Sequence, residues 1–408
     1  MAELKIDAEP AEVGFDAARL SRIDTHFARY VDDGRLAGTT VAVARRDRVV
    51  HLSHYGLADV EAGRPVADDT LWRIYSMTKP ITSVAALMLY ERGLLELTDP
   101  VARHLPAFAD LRVYRGGSAA NPGTEPAVEP MRLWHLLTHT AGLTYGFHHA
   151  HPVDEMYRGR GFEFGAPQGM DLATACDAWA GLPLVHQPGA EWNYSVATDV
   201  LGRVVEVVSG QPLDEFLDEH ILRPLDMTDT GFVASDTDRL AALYVPKPGG
   251  GLHRNDRMGA AATRRPSFLS GGGGLVSSAA DYHRFTRMLA RGGELDGARL
   301  LGPRTVAYAT RNHLPGGVDL QGFGRPIFAE SAFHGVGFGL GFSVVIDPAA
   351  GKTVTSAGEY AWGGLASTAF YVDPVEEITA MFLTQLMPSS TYPIRGQLRT
   401  LVTQALVD

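Results

Sequence analysis

Ser76-Met77-Thr78-Lys79 opens a run, 76–92, whose apolar positions Leu87, Leu89 and Tyr90 and whose terminal Gly93 predict a strong helix. A spacing of three puts Ser76 and Lys79 on one helical face, about 4.5 Å apart along the axis. A serine hydroxyl is a poor nucleophile until a base takes its proton, and a desolvated lysine can be that base. A helix N-terminus also aims free backbone N–H groups at a developing oxyanion. The bland reading is a capping serine followed by a solvated lysine, and such a pair arises by chance often enough to prove little alone. Composition adds weight. Only four of the 36 cationic residues are lysines (Lys5, Lys79, Lys247 and Lys352), so each marks a place where arginine, which cannot lose its proton, would not serve.

Further along, Tyr194-Ser195-Val196 follows the Pro188-Gly189 turn and precedes a helix predicted over 196–209. A tyrosine beside a lysine can share the base role, because an adjacent cation favours its phenolate. Glu359-Tyr360-Ala361-Trp362-Gly363-Gly364 precedes a predicted strand. Its glycines let a ligand lie against the strand edge, where main-chain N–H groups can bind a carbonyl oxygen. Taken singly, these are better read as a packed tyrosine and a simple hairpin turn. Tyr145 and Phe147 either wall a pocket or pack in the core.

The remaining periodicities set the frame. A helix is predicted over 17–32 and strands over 39–46 and 48–54. Loops at 116–130 and 148–169 flank a helix over 132–139. Further helices are predicted at 172–180, 212–221, 278–291 and 303–312. In 335–342 glycine alternates with large apolar residues, as in a strand with one bare face that another backbone approaches. Strands follow at 342–346, 352–356, 365–372 and 378–384, with a closing helix over 395–407. Strands at both ends of a helical middle predict an α+β fold, with one antiparallel sheet assembled from both termini and a helical subdomain between.

The chain has 408 residues, 45% apolar and 20% charged, so neither disorder nor a disulfide-stapled mini-fold is expected. Its net charge of −11, with no basic block, excludes a nucleic-acid or anionic-membrane surface. The longest apolar run, 84–90, is too short to span a bilayer. Cys176 is the single cysteine, and the opening MAELKIDAEPAEVGFD lacks an apolar signal region, so a soluble cytoplasmic protein is expected. His135 and His139 have metal-ligand spacing but no zincin glutamate, and packing is their expected role. His148, His149 and His151 fit a solvated loop or site rim better than a metal site. Gly351-Lys352-Thr353 mimics a phosphate loop, yet Ile346 stands where its first glycine belongs. No G-x-S-x-G occurs, which argues against an α/β-hydrolase.

Taken together, these motifs resemble the serine β-lactamase and penicillin-binding-protein superfamily, specifically its class C-like carboxylesterases, the family VIII esterases. The resemblance spans nearly the whole chain. It includes Leu133-Trp-His-Leu-Leu-Thr-His-Thr-Ala-Gly-Leu143, Pro188-Gly-Ala-Glu-Trp-Asn-Tyr194, Gly271-Gly-Gly-Gly-Leu275 and Trp362-Gly-Gly364. It implies a β-lactamase-like fold, with a sheet subdomain of roughly 8–75 plus 276–408 and a helical one of roughly 76–275. It further implies Ser76 as the acylated nucleophile, Lys79 and Tyr194 as its base pair, and the N–H groups of Ser76 and Leu365 as the oxyanion hole. Tyr145, Phe147, Trp362, Gly363 and Gly364 would line the substrate.

Two departures are informative. Class C β-lactamases carry Lys-Thr-Gly where this chain has Trp362-Gly363-Gly364, and Tyr-Ala-Asn or Tyr-Ser-Asn where it has Tyr194-Ser195-Val196. The missing cation and amide are groups that hold a β-lactam, so the esterase branch is favoured. One of the many arginines, such as Arg395, could reach the site from elsewhere and restore a carboxylate anchor. The expected activity is hydrolysis of small neutral esters, short-chain or aryl, by a serine carboxylesterase with a small-molecule ester as its partner and no metal or organic cofactor. Alternatives are an acyltransferase on the same acyl-enzyme, a weak β-lactamase or D-amino-acid peptidase, and a ligand-binding sensor. No feature sets an oligomeric state.

Overall fold

Side chains of a strand alternate between faces, so a sheet covered on both sides needs apolar residues at every position. The first strand, β1 (Gly38–Arg45), is buried throughout. In the computed structural model, which describes residues 3–324 and 333–408, it lies inside an eight-stranded sheet. The other strands are β2 (Arg48–Asp59), β3 (Arg64–Pro65), β4 (Val336–Phe338), β5 (Ser343–Val345), β6 (Tyr360–Gly363), β7 (Ala369–Asp373) and β8 (Ile378–Leu383). Their order is β4-β5-β6-β7-β8-β1-β2-β3 and every pairing is antiparallel. Strand β8 pairs with β1 in the register Thr40↔Leu383 to Arg45↔Ile378, which joins the two ends of the chain at the centre.

Helices α1 (Arg22–Asp32), α2 (Thr78–Glu91), α3 (Ala197–Ser209), α4 (Ala279–Ala290) and α5 (Ile394–Thr403) complete the frame. On one face Val41, Val43, Ala380 and Phe382 share a core with Phe27 of α1 and Leu398 and Val402 of α5. Their strand neighbours Ala42, Met381 and Leu383 join the second core, with α2, α3 and α4. In α2 every residue from Thr78 to Leu89 is buried. A helix that is apolar all round belongs inside, and α2 packs against α3 in the helical part. Trp72-Arg73 pairs with Val276-Ser277 where the chain leaves and re-enters the sheet region. No helix among the described residues is long and apolar enough to cross a membrane.

Several elements differ from expectation, each for a local reason. The loop expected at 116–130 is largely a hairpin, Arg112–Ser118 with Asn121–Pro126, whose glycines and prolines hide the strand pattern. The loop at 148–169 contains the helix Pro152–Gly159: His151 Nδ1 accepts from Val153 N, and Asp154 Oδ2 accepts from His151 N at 2.9 Å. The polar residues read as loop are its caps. No strand forms at 352–356. Asp347 instead caps a helical turn, Pro348–Gly351, that Lys352 ends at φ 52°. The next strand, β6, lies later, at Tyr360–Gly363, so Trp362 and Gly363 sit within a strand and Leu365 falls in the turn after it. Of 335–342 only Val336–Phe338 is strand, yet close approach does govern its glycines: a Cβ on Gly339 would lie 2.2 Å from the Ala309 carbonyl.

Candidate active site

Ser76 sits in a short turn, Tyr75–Met77, that runs directly into α2. Tyr75 holds φ at 43°, a left-handed conformation that is costly for a tyrosine and persists only where surrounding structure imposes it. The bend delivers Ser76 half-buried at the helix start, with Lys79 one turn along and only 1% exposed. Lys79 Nζ donates to Ser76 Oγ at 3.2 Å, to Tyr145 Oη at 3.0 Å and to the Gly272 carbonyl at 2.7 Å. An ammonium has three donors, and all three are used.

Tyr194 arrives from the segment just before α3, 118 residues after Ser76. Its Oη lies 2.6 Å from Ser76 Oγ, and Lys79 Nζ sits 4.5 Å from the centre of its ring. That ring is fixed by His139, Tyr145 and Trp362, with centroids 5.0, 5.3 and 5.4 Å away. Its carbonyl is bonded to His148 Nε2 at 2.8 Å. Burial, with the Lys79 cation next in weight, holds the His139 imidazole well below its ordinary value, so the ring packs as a neutral group.

The turn after β6 closes the opposite side. Gly364 N donates to the Thr368 carbonyl at 2.8 Å, and Thr368 Oγ1 donates to the Ile74 carbonyl at 3.4 Å, two residues before Ser76. Leu365 is thereby held beside the turn that carries Ser76. Neither Ser76 N nor Leu365 N has a hydrogen-bond acceptor among the described residues. Two such amides beside a serine can receive a carbonyl oxygen that gains charge.

These groups open on a cleft of about 1440 Å³. Ser76, Tyr194, Tyr145, Phe147, Trp362, Gly363, Gly364 and Leu365 all line it, while Lys79 lies beneath its floor. The structure therefore brings every residue of the expected site together. Arg395 lines the same cleft, its guanidinium so close to Gly363 that a Cβ there would fall 2.4 Å from Nη2. Phe147 stacks on Tyr145 (4.6 Å, 19°) and on Phe164 (5.5 Å, 11°), a ring that sequence reasoning passed over in a polar loop.

The second residue passed over is Asp199. It is 2% exposed on α3, and its Oδ1 accepts from Ser270 Oγ at 2.6 Å and from Gly272 N at 3.0 Å. Burial raises its carboxyl above the ordinary range, while the Lys79 cation and those two donors pull it back. A signal was present: Asp199 is the lone acid among Ala197, Val200, Leu201, Val204 and Val205, a face that is otherwise core.

The histidines do separate work. His135 Nδ1 accepts from Arg132 N at 3.1 Å and caps its own helix, and His149 points outward to Glu163. Cys176 is buried, and burial pushes its thiol well up.

Residues 23–404 match the model of the family described as Beta-lactamase. Protein Rv1367c of Mycobacterium tuberculosis is 39% identical over 362 residues, 88% of each chain. Esterase EstB of Burkholderia gladioli is 36% identical over 394 residues, 92% of this chain and 93% of its own. Among solved structures, EstCE1, described as a hydrolase with promiscuous acyltransferase activity, superposes with a TM-score of 0.78 at 28% identity. That match covers 95% of this chain and 98% of the other.

Proposed function

As the chain belongs to the beta-lactamase family, we propose that it is a serine carboxylesterase of the family VIII type, hydrolysing small neutral esters, short-chain or aryl, through an acyl-enzyme on Ser76. The observation that carries this is the hydroxyl of Ser76 held at 2.6 Å from Tyr194 Oη and 3.2 Å from Lys79 Nζ at the floor of an open cleft. As the ester carbonyl meets Ser76 Oγ, Tyr194 and Lys79 act as one unit. The hydroxyl proton passes to Tyr194 Oη, and the neighbouring cation stabilises the phenolate that takes it. The tetrahedral oxyanion rests on the amides of Ser76 and Leu365, at about 3 kcal/mol per donor in comparable sites. Tyr194 returns the proton to the leaving alcohol. A water then attacks the acyl-enzyme by the reverse path, and the acid departs.

Trp362 stands where lactamase relatives place a cation, so the wall beside the turn offers indole surface to a neutral group. The cleft exceeds the roughly 300–1,000 Å³ of an ordinary ligand pocket, so it has room for an acceptor alcohol beside a short acyl group. That, with EstCE1's description, favours acyl transfer as the second reading. A cytoplasmic location is part of the proposal, and fractionating expressing cells for p-nitrophenyl butyrate hydrolysis tests it.

A fluorophosphonate probe should add one adduct, mapping to the Ser76 peptide, and block hydrolysis. A label on another serine, or none on active enzyme, overturns the reading. Free acid measured with and without an added alcohol separates hydrolysis from transfer.

A further inference from the structure

Lys79 poses an electrostatic question. It is 1% exposed, and among the described residues it makes no ion pair. A buried ammonium without a compensating charge is strongly disfavoured, yet three donated hydrogen bonds are an ammonium's coordination. The compensation lies one peptide away. The Gly272 carbonyl accepts from Lys79 Nζ at 2.7 Å, and the N–H of the same residue donates to Asp199 Oδ1 at 3.0 Å. Lysine, Gly272 and carboxylate form one hydrogen-bonded chain through a single residue between α2 and α3.

We propose that Asp199 is a positioning residue for the reaction: its carboxylate, placed behind Gly272, is the counter-charge of the Lys79 ammonium in the resting enzyme. The inference rests on the acyl-enzyme reading above and adds a fourth side chain to it. It also accounts for the glycines at 271 and 272. A Cβ on Gly272 would lie 2.6 Å from Asp199 Oδ2, and one on Gly271 would lie 2.8 Å from the Thr198 carbonyl. Only a side-chain-free segment threads between the two helices closely enough to carry the relay.

The other groups near Asp199 do not replace Lys79. Tyr145 and Cys176 are uncharged partners in the same packed region, and Arg203 and Glu206 on its own helix pair with each other at 2.8 Å. Burial raises the Asp199 carboxyl, and the Lys79 cation and the two donors on Oδ1 oppose that rise by favouring the ionised form.

The test is Asp199→Asn, which keeps shape and hydrogen-bonding capacity and removes the charge, with Ser270→Ala as the control that loosens the carboxylate and leaves the charge. The readout is the pH profile of kcat/KM for p-nitrophenyl butyrate, alongside thermal melts. Without its counter-ion the ammonium gives up its proton more readily. One limb of the Asp199→Asn profile should therefore move to lower pH by about one unit or more, with KM within about threefold. In Ser270→Ala both limbs should stay in place. A mere fall in amplitude with both limbs unmoved overturns the proposal and makes Asp199 a brace for the glycine run. So does a shift toward higher pH, or an equal shift in Ser270→Ala. Failure of wild-type enzyme to hydrolyse the ester, or to be labelled at Ser76, would instead defeat the acyl-enzyme reading.

Discussion

Replacing Tyr194 with phenylalanine removes one oxygen from a ring that is otherwise locked in place. The ring is 7% exposed and keeps its contacts with His139, Tyr145 and Trp362, so the pocket should not collapse. The lost hydroxyl makes one hydrogen bond, to Ser76 Oγ, worth about 0.5–1.5 kcal/mol of stability at most. In a 408-residue chain that is a melting shift of no more than about 1–3 °C. Chemistry should suffer far more. General acid–base help of this kind is worth roughly 10²–10⁴ in rate, or about 3–5 kcal/mol on the barrier. Ser76 would then face Lys79 alone at 3.2 Å, with no group to carry its proton to the leaving alcohol. The expected result is a loss of about a thousandfold in kcat/KM for p-nitrophenyl butyrate, with KM nearly unchanged and the melt intact. Retention of turnover within tenfold of wild type would refute the role given to Tyr194, and the proton would have to leave by another route.

Lys79→Arg should fall by at least about a thousandfold, because a planar guanidinium cannot donate from one nitrogen to Ser76, Tyr145 and Gly272 and cannot give up its proton; near-normal turnover would make Lys79 a structural charge. Kinetics on p-nitrophenyl butyrate and nitrocefin should differ by at least about a hundredfold in kcat/KM, roughly 2.7 kcal/mol, because Trp362 offers no charge-assisted bond to a carboxylate. Comparable efficiencies would hand that anchor to Arg395 and remove Trp362 from control of substrate class. Stability should depend on pH through His283, which burial depresses to about 4. The unfolded chain then binds the extra proton, so up to about 3 kcal/mol present above pH 6.5 is lost progressively as pH falls toward 4. Melts of wild type and His283→Gln across that window check this, and parallel curves would contradict it.

The site proved more legible than the architecture around it. Ser76, Lys79, Tyr194 and Trp362 were found because their chemistry is carried by residue type and order, which survive in one dimension. Asp199 escaped because its meaning depends on a single packing contact, the passage of Gly272 between two helices. The hairpin at 112–126 escaped for a different reason. Its strands are stabilised by pairing with each other and not by apolar alternation, so glycine and proline dominated the pattern. Residues 352–356 misled because Lys352-Thr353-Val354-Thr355 has β-propensity, while the Asp347 cap upstream decides the local backbone.

The pairing of β1 with β8 has a consequence for biosynthesis. Ser76 is made early, but the cleft wall facing it is made near the end: the turn bearing Leu365, the strand bearing Trp362 and the helix bearing Arg395 all follow residue 359. Without β8, β1 keeps only β2 as a partner and its other edge is unpaired, and a sheet of so few strands is marginal on its own in water. Contacts spanning more than 330 residues must therefore close before the serine has an oxyanion site to work with. A chain laid out this way makes Ser76 early and the cleft wall around it last.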